Sequence, residues 1–152
     1  MENTSVKTMW GDFLEAHLEH AFESAPKTTY FGDNEKDANE LAILVKNGVK
    51  KATSHSLLGL QQQNEPLPKI GELTVVTNWE GEAQCIIRTT KVTLKPYFLI
   101  NASYAEKEGE GDKSLTYWKK VHWDYYTREL AKFNRAPTDS MIVVCEEFDK
   151  VF

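Results

Sequence analysis

Cysteine, proline and glycine are sparse in this chain, and what is missing narrows the field. Its 152 residues include 2 cysteines, 5 prolines and 8 glycines. Cys85 and Cys145 each sit inside an apolar run, without the paired spacing of a disulfide framework or a zinc ribbon, and read as buried small hydrophobes in a reducing compartment. No stretch approaches the roughly 18 consecutive apolar residues that a membrane span needs. The start, Met1 to Lys7, lacks the basic and apolar regions of a secretory signal, so the cytoplasm is the expected compartment. Positive charge is also short: 18 Lys and Arg stand against 23 Asp and Glu, a formal net charge of -5. That balance argues against a protein that coats long duplex nucleic acid, while leaving room for a local basic patch. Walker-type phosphate loops, dinucleotide fingerprints and nucleophile elbows are absent.

What is present has the composition of an ordinary globular domain, 41% hydrophobic and 27% charged. Apolar positions at Val6, Trp10, Phe13, Leu14 and Ala21, with His17 among them, recur at three- and four-residue steps. They predict an amphipathic helix over residues 6–22, stopped by Pro26. A second helix is expected after Phe31-Gly32-Asp33-Asn34, with Asp33 or Asn34 as its cap and Gly48 as its end. Strands are expected at 73–77, 84–94 and 141–148, with a hairpin connection at 78–82. A helical turn or two should fall at 103–108, and a long helix at 114–133 that begins near Ser114. This order lacks regular strand–helix alternation. It predicts one α+β domain over 1–152 with a mainly antiparallel sheet, curled toward a barrel and carrying three or more helices.

Two segments carry candidate chemistry. In Gly48-Val49-Lys50-Lys51-Ala52-Thr53, Lys50 and Thr53 can act as base and nucleophile, because a threonine hydroxyl needs a neighbour to take its proton. The lysine must be neutral to do so, and Lys51 is the candidate for the nearby charge that lowers its pKa. Residues three apart in a regular strand point to opposite faces, so the backbone after Gly48 must bend for the two to meet. The bland alternative is a solvated lysine pair leading into a strand. The second segment is Glu108-Gly109-Glu110-Gly111-Asp112. Glycines cost about 1 kcal/mol each inside a helix, and here they let the chain fold tightly and gather three carboxylates. Those carboxylates read as a solvated loop, a divalent-metal site, or an acid whose pKa its like-charged neighbours raise. His17 and His20 have a metal-compatible spacing without an evident third ligand, and His122 reads as part of the packing face of the last helix.

Trp10, Phe31-Gly32-Asp33, Gly48/Lys50/Thr53, Pro66/Pro68/Gly71, residues 85–90, Tyr104 to Asp112, Trp118, His122-Trp123 and Val144-Cys145-Glu146 follow one another in an order that resembles ASCH-domain proteins. The likeness is to a long bacterial subgroup with an EGEGD segment, and it leaves out only the first few residues. It implies a PUA-like β-barrel decorated with helices, with a helical N-terminal extension at about 5–24 packed on it. One short-chain branch looks like amidohydrolases that deacetylate acetylcytidine. By that likeness Lys50 is the base, Thr53 the nucleophile and Glu108 the proton donor. That branch lacks the long first helix, the FGD segment and the glycine-spaced acids beyond Glu108, and in this chain Asp33, Lys51, Arg88, Glu110, Asp112 and Trp118 are expected to contact substrate. Arg88 or backbone amides near Thr53 would stabilise the oxyanion. In that branch an arginine stands where this chain has His55.

The resemblance leaves three functions open. They are hydrolysis of an N-acylated nucleoside such as N(4)-acetylcytidine, non-catalytic binding of RNA or a modified nucleotide, and metal-assisted RNA cleavage by Glu108, Glu110 and Asp112. The binding reading would use Lys46, Lys50, Lys51 and Arg88 on phosphate, and Tyr30, Phe31 or Trp118 as stacking surfaces. The expected partner is a small nucleoside or RNA. No resident metal or cofactor is expected, except a divalent ion under the cleavage reading.

Overall fold

The computed structural model describes residues 3–23 and 25–152. Met1 and Glu2, at the start read for targeting signals, and Ser24, at the end of the expected N-terminal extension, lie outside the described residues. Five strands form one sheet in the order β1-β3-β4-β5-β2: β1 is Lys27–Thr29, β2 Ala52–Ser56, β3 Leu73–Thr77, β4 Ala83–Pro96 and β5 Ile142–Lys150. Among the described residues β1 and β3 pair in parallel, and the other neighbours are antiparallel. The 14-residue β4 serves β3 with its first half and β5 with most of its length. Register shifts at Val76/Thr77 and Thr89/Lys91 mark irregularities where such a strand can bend. The sheet curls into a half-barrel, a mixed α+β fold of the PUA-like kind.

Among the described residues five α-helices cover it: α1 (Thr4–Ala16), α2 (Glu35–Lys46), α3 (Leu57–Gln62), α4 (Ala102–Glu108) and α5 (Leu115–Ala131). Three buried clusters divide the packing. Val6 and Phe13 of α1 press on Leu73, Val75 and Ile86. Ala42 and Val45 of α2, with Phe31, meet Val76, Cys85, Ile87 and Phe148. On the other side, Trp118, Tyr126 and Leu130 of α5 pack with Ala52, Val143 and Cys145. Alternation along β5 therefore sends Val143 and Cys145 toward α5, and Phe148 toward α2.

The first helix is shorter than its apolar spacing suggested. It stops at Ala16, and His17 leaves helical space at φ -135 before a short 3-10 turn, Leu18–His20. The His17 ring packs on Phe13 at 4.6 Å, so the stripe is completed by a break and not by a further turn. Ala21 and Phe22 are exposed. The second helix follows its signals, with Asn34 accepting from the Asp37 amide at 2.9 Å and Gly48 at φ 74 beyond its end. No helix of the described residues is long and apolar enough to cross a membrane.

Candidate functional site

A cavity of about 590 Å³ is lined by the two edge strands of the sheet, β1 and β2, and by Thr74, Ile87 and Glu146 of the strands between them, so it lies along one face of the half-barrel. Lys50, Thr53, Glu108 and Glu110 all face it. The path of the chain explains how. After Gly48 the amides of Val49 and Lys50 both bond to the Leu44 carbonyl, at 2.9 and 3.1 Å, folding the segment back on the end of α2. Lys51 then donates to the Lys107 carbonyl at 2.8 Å, tying it to the last turn of α4. Lys50 thus precedes the β2 ladder, and the strand rule that would have set it opposite Thr53 does not apply.

The glycines of the acidic segment are required by contact. A Cβ on Gly109 would lie 2.5 Å from the Val49 carbonyl oxygen, and one on Gly111 would lie 2.5 Å from the Tyr117 ring. Both residues also adopt positive φ, 69 and 58. This close approach carries Glu108 and Glu110 onto Lys50.

Lys50 Nζ is 2.8 Å from Glu108 Oε1 and 2.9 Å from Glu110 Oε2. The second Glu108 oxygen accepts from Ser54 Oγ at 2.5 Å and from Trp118 Nε1 at 2.5 Å, and lies 3.2 Å from His122 Nε2. His122 Nδ1 is 2.8 Å from the Trp118 carbonyl, which can only accept, so this nitrogen carries a proton. Nε2 then faces a carboxylate and needs a proton too. Two protons on the ring make it an imidazolium.

The ionisation of the cluster follows from these neighbours. Burial disfavours charge on Lys50, but the two carboxylates outweigh it and raise its pKa. Burial pushes Glu108 up, yet Lys50 and His122 hold it well below the usual carboxylate range. His122 is raised in turn, Glu108 overcoming the cost of burial. The acid whose pKa rises is Glu110, through burial and the adjacent Glu108 charge, against the pull of Lys50. The expectation of a neutralised lysine beside Lys51 is therefore corrected: carboxylates surround Lys50, and Lys51 is exposed.

The other residues singled out in the sequence fall in different places. Thr53 is buried on the cavity wall, its carbonyl accepting from Tyr104 OH at 2.8 Å; among the described residues no hydrogen bond joins its hydroxyl to Lys50. Asp112 is exposed and accepts from the amide of Ser114, the cap residue of α5, at 2.9 Å, apart from the other two acids. Arg88 is exposed, because Ile87 and Thr89 point inward on either side, and it does not line the cavity. Trp118 is buried beneath the site, stacked on His122 at 4.1 Å, where it holds Glu108 and does not line the cavity. Asp33 clamps Arg128 of α5 with contacts of 2.7 and 3.2 Å, joining the start of α2 to α5. Tyr30 and Phe31 line the cavity, with Phe31 5.6 Å beneath the Lys50 ammonium. Lys46 is exposed and outside it.

Sequence reading missed several members. His122 packs as expected but also completes the Glu108 cluster. Ser54, one residue past the attended Thr53, binds Glu108. Glu146 of β5 pairs with His55 at 2.9 Å and accepts from Thr89 at 2.6 Å. A ligand-like set exists in Glu108, Glu110 and His122, whose donor atoms lie within 4.8 Å of one another. The Lys50 ammonium already bridges the two carboxylates there, supplying the positive charge a divalent ion would bring. His20 pairs with Glu23 at 2.6 Å.

A curled five-stranded α+β half-barrel covered by helices is a fold of the PUA-like kind. The ASCH domain profile matches residues 27–152, and the chain belongs to that family. It resembles the crystal structure of an ASCH domain from Lactobacillus crispatus, at 31% identity and TM-score 0.92, over 99% of this chain and 96% of that one. A crystal structure of a protein from Enterococcus faecalis is similar at 32% identity and TM-score 0.86, over 97% of this chain and 88% of that one. No curated protein sequence gives a significant match. ASCH domains are generally associated with RNA binding.

Proposed function

We propose that this ASCH domain hydrolyses the amide of an N-acylated nucleoside such as N(4)-acetylcytidine. The observation that supports this reading is that Lys50, Thr53 and Glu108 open on one cavity of about 590 Å³, within the usual size range of small-molecule sites. Thr53 attacks the acyl carbon, and Lys50 takes its proton.

Lys50 rests in its charged form, so the base must first be made. Its hydrogen bond to Glu108 is the route: one proton moves from Nζ to Oε1, turning the ion pair into a neutral amine beside a carboxylic acid. Ligand binding that expels water favours the neutral pair, because desolvation penalises separated charges. Lys50 then accepts the Thr53 proton as Oγ bonds to carbon. Glu108 gives its proton to the departing amine, which restores the ion pair. In the second half the same shift of a proton from Nζ to Oε1 first regenerates the neutral amine and the carboxylic acid. Water then loses a proton to Lys50 as its oxygen bonds to the acyl carbon, and Thr53 Oγ leaves with the proton from Glu108, which again restores the ion pair. The test is release of acetate and cytidine from N(4)-acetylcytidine by the protein and by Thr53→Ala. Equal turnover by both removes Thr53 as nucleophile, and no turnover by either removes the reading.

A second reading, a non-catalytic RNA or nucleotide module, is favoured by Tyr30, which lines the cavity and packs its exposed ring 4.9 Å from Trp79. An exposed aromatic ring of this kind offers a face on which a single-stranded base can stack. Two of the cavity cations weigh against it, since Lys50 and Arg128 are already held by carboxylates, while the exposed Lys27 also lines the cavity. Titration with short RNA at two salt concentrations separates the readings: tight, steeply salt-dependent binding favours the module.

A further inference from the structure

Thr53 and Glu146 are direct partners across the β2–β5 ladder. Side chains so placed on an antiparallel pair have Cβ atoms about 4.5–5.5 Å apart, and both residues line the cavity. Glu146 is fixed from two sides, its Oε1 by His55 Nε2 and its Oε2 by Thr89 Oγ1. Its side chain is 8% exposed. An ionised carboxylate accepts about four hydrogen bonds, and these two contacts leave acceptor capacity on both oxygens. Burial raises the pKa of this group, but His55 and Thr89 more than offset that and keep it low. A carboxylate held this way is a poor base toward Thr53 and a strong acceptor for a donor on the ligand.

Resting on the hydrolase reading, we propose that Glu146 is a positioning residue that accepts the N–H of the scissile amide and so sets the acyl carbon against Thr53. His55 and Thr89 orient it. The site then takes secondary amides, which carry that N–H, and rejects amides whose nitrogen is fully substituted. An anionic group placed beside the same carbonyl is repelled.

The experiment compares N(4)-acetylcytidine with N(4)-acetyl-N(4)-methylcytidine. Binding is measured by calorimetry on Thr53→Ala, so that turnover does not interfere. The unmethylated compound is expected to bind at least about tenfold more tightly, because a site built to receive a donor strongly rejects a ligand that lacks it. Bulk alone can also penalise the methyl group, so the ratio is measured again after adding Glu146→Met, where it should fall to about one. Should that variant fail to fold, Glu146→Gln keeps the shape with a weaker acceptor and should shrink the ratio. Equal binding of the two compounds, binding of neither, or an unchanged ratio without the carboxylate overturns the proposal. Turnover of acetylcytidine without the preference sinks this inference alone, and the preference without turnover sinks the hydrolase reading alone.

Discussion

Lys50 Nζ and Glu108 Oε1 meet at 2.8 Å with both side chains 1% exposed, 58 residues apart in the chain. Removing one member of such a pair strands the other, and that typically costs about 3–5 kcal/mol. Lys50→Met should therefore destabilise the protein on that order, since it leaves Glu108 and Glu110 close together without the cation between them. Combining it with Glu108→Gln should recover part of the loss. Urea unfolding of the two single variants and the double variant reads the coupling, and strictly additive losses would count against the pair as a unit.

The same cluster sets a pH window. Glu108 titrates below its ordinary value of 4.5 in the folded chain, so its contribution is complete above 4.5 and is lost as pH falls through the folded value. His122 titrates above its ordinary 6.5, so its contribution is complete below 6.5 and fades as pH rises through the folded value. Between these limits lies the plateau due to the two groups. Tm measured against pH should show both limbs, and His122→Gln should flatten the alkaline one. An alkaline limb of the same size in the variant would mean that another group causes it.

Much of this arrangement was legible locally. Asn34 and Gly48 announced the ends of α2, and the β-branched run at β3 matched its strand from Leu73 to Thr77. β1 was not legible, because three residues of Lys and Thr become a strand only by pairing with β3. α3 follows β2 without a gap, and its cap is Ser56, the last strand residue, so neither element signalled a boundary. Within the site, Lys50, Thr53 and Glu108 stood out by spacing and resemblance. The His55–Glu146 contact depends on the register of β2 against β5, across 91 residues, which no local pattern encodes. Arg88 and Asp112 carried the right charge, yet strand alternation and a local bond to the Ser114 amide turned them away.

Both cysteines should be inert in the folded protein. Cys85 and Cys145 are buried, and burial raises each thiol to about 11, so little thiolate exists at neutral pH. A thiol reagent at pH 7.5 should label neither until denaturant is added, and then both. Rapid labelling of the native chain would contradict the buried placement.

Gly109 offers the most local test of how the site is assembled. Alanine there faces two obstacles, a positive φ of 69 and a Cβ 2.5 Å from the Val49 carbonyl oxygen. Backbone is the obstacle, so no side-chain rotation relieves it. Gly109→Ala should cost roughly 1–3 kcal/mol, the usual range for overpacking, by forcing the end of α4 away from the 49–51 segment. Gly48→Ala is the control: φ is 74 there too, but a Cβ would meet nothing within 4 Å. It carries the strain of the left-handed conformation without the clash. Gly109→Ala should therefore lose more stability than Gly48→Ala in parallel melts, and it should also lower the affinity for any cavity ligand, because Lys50 and Glu108 are carried on the two segments it separates. Equal losses in the two variants would show that backbone conformation, and not close approach, explains the glycine at 109.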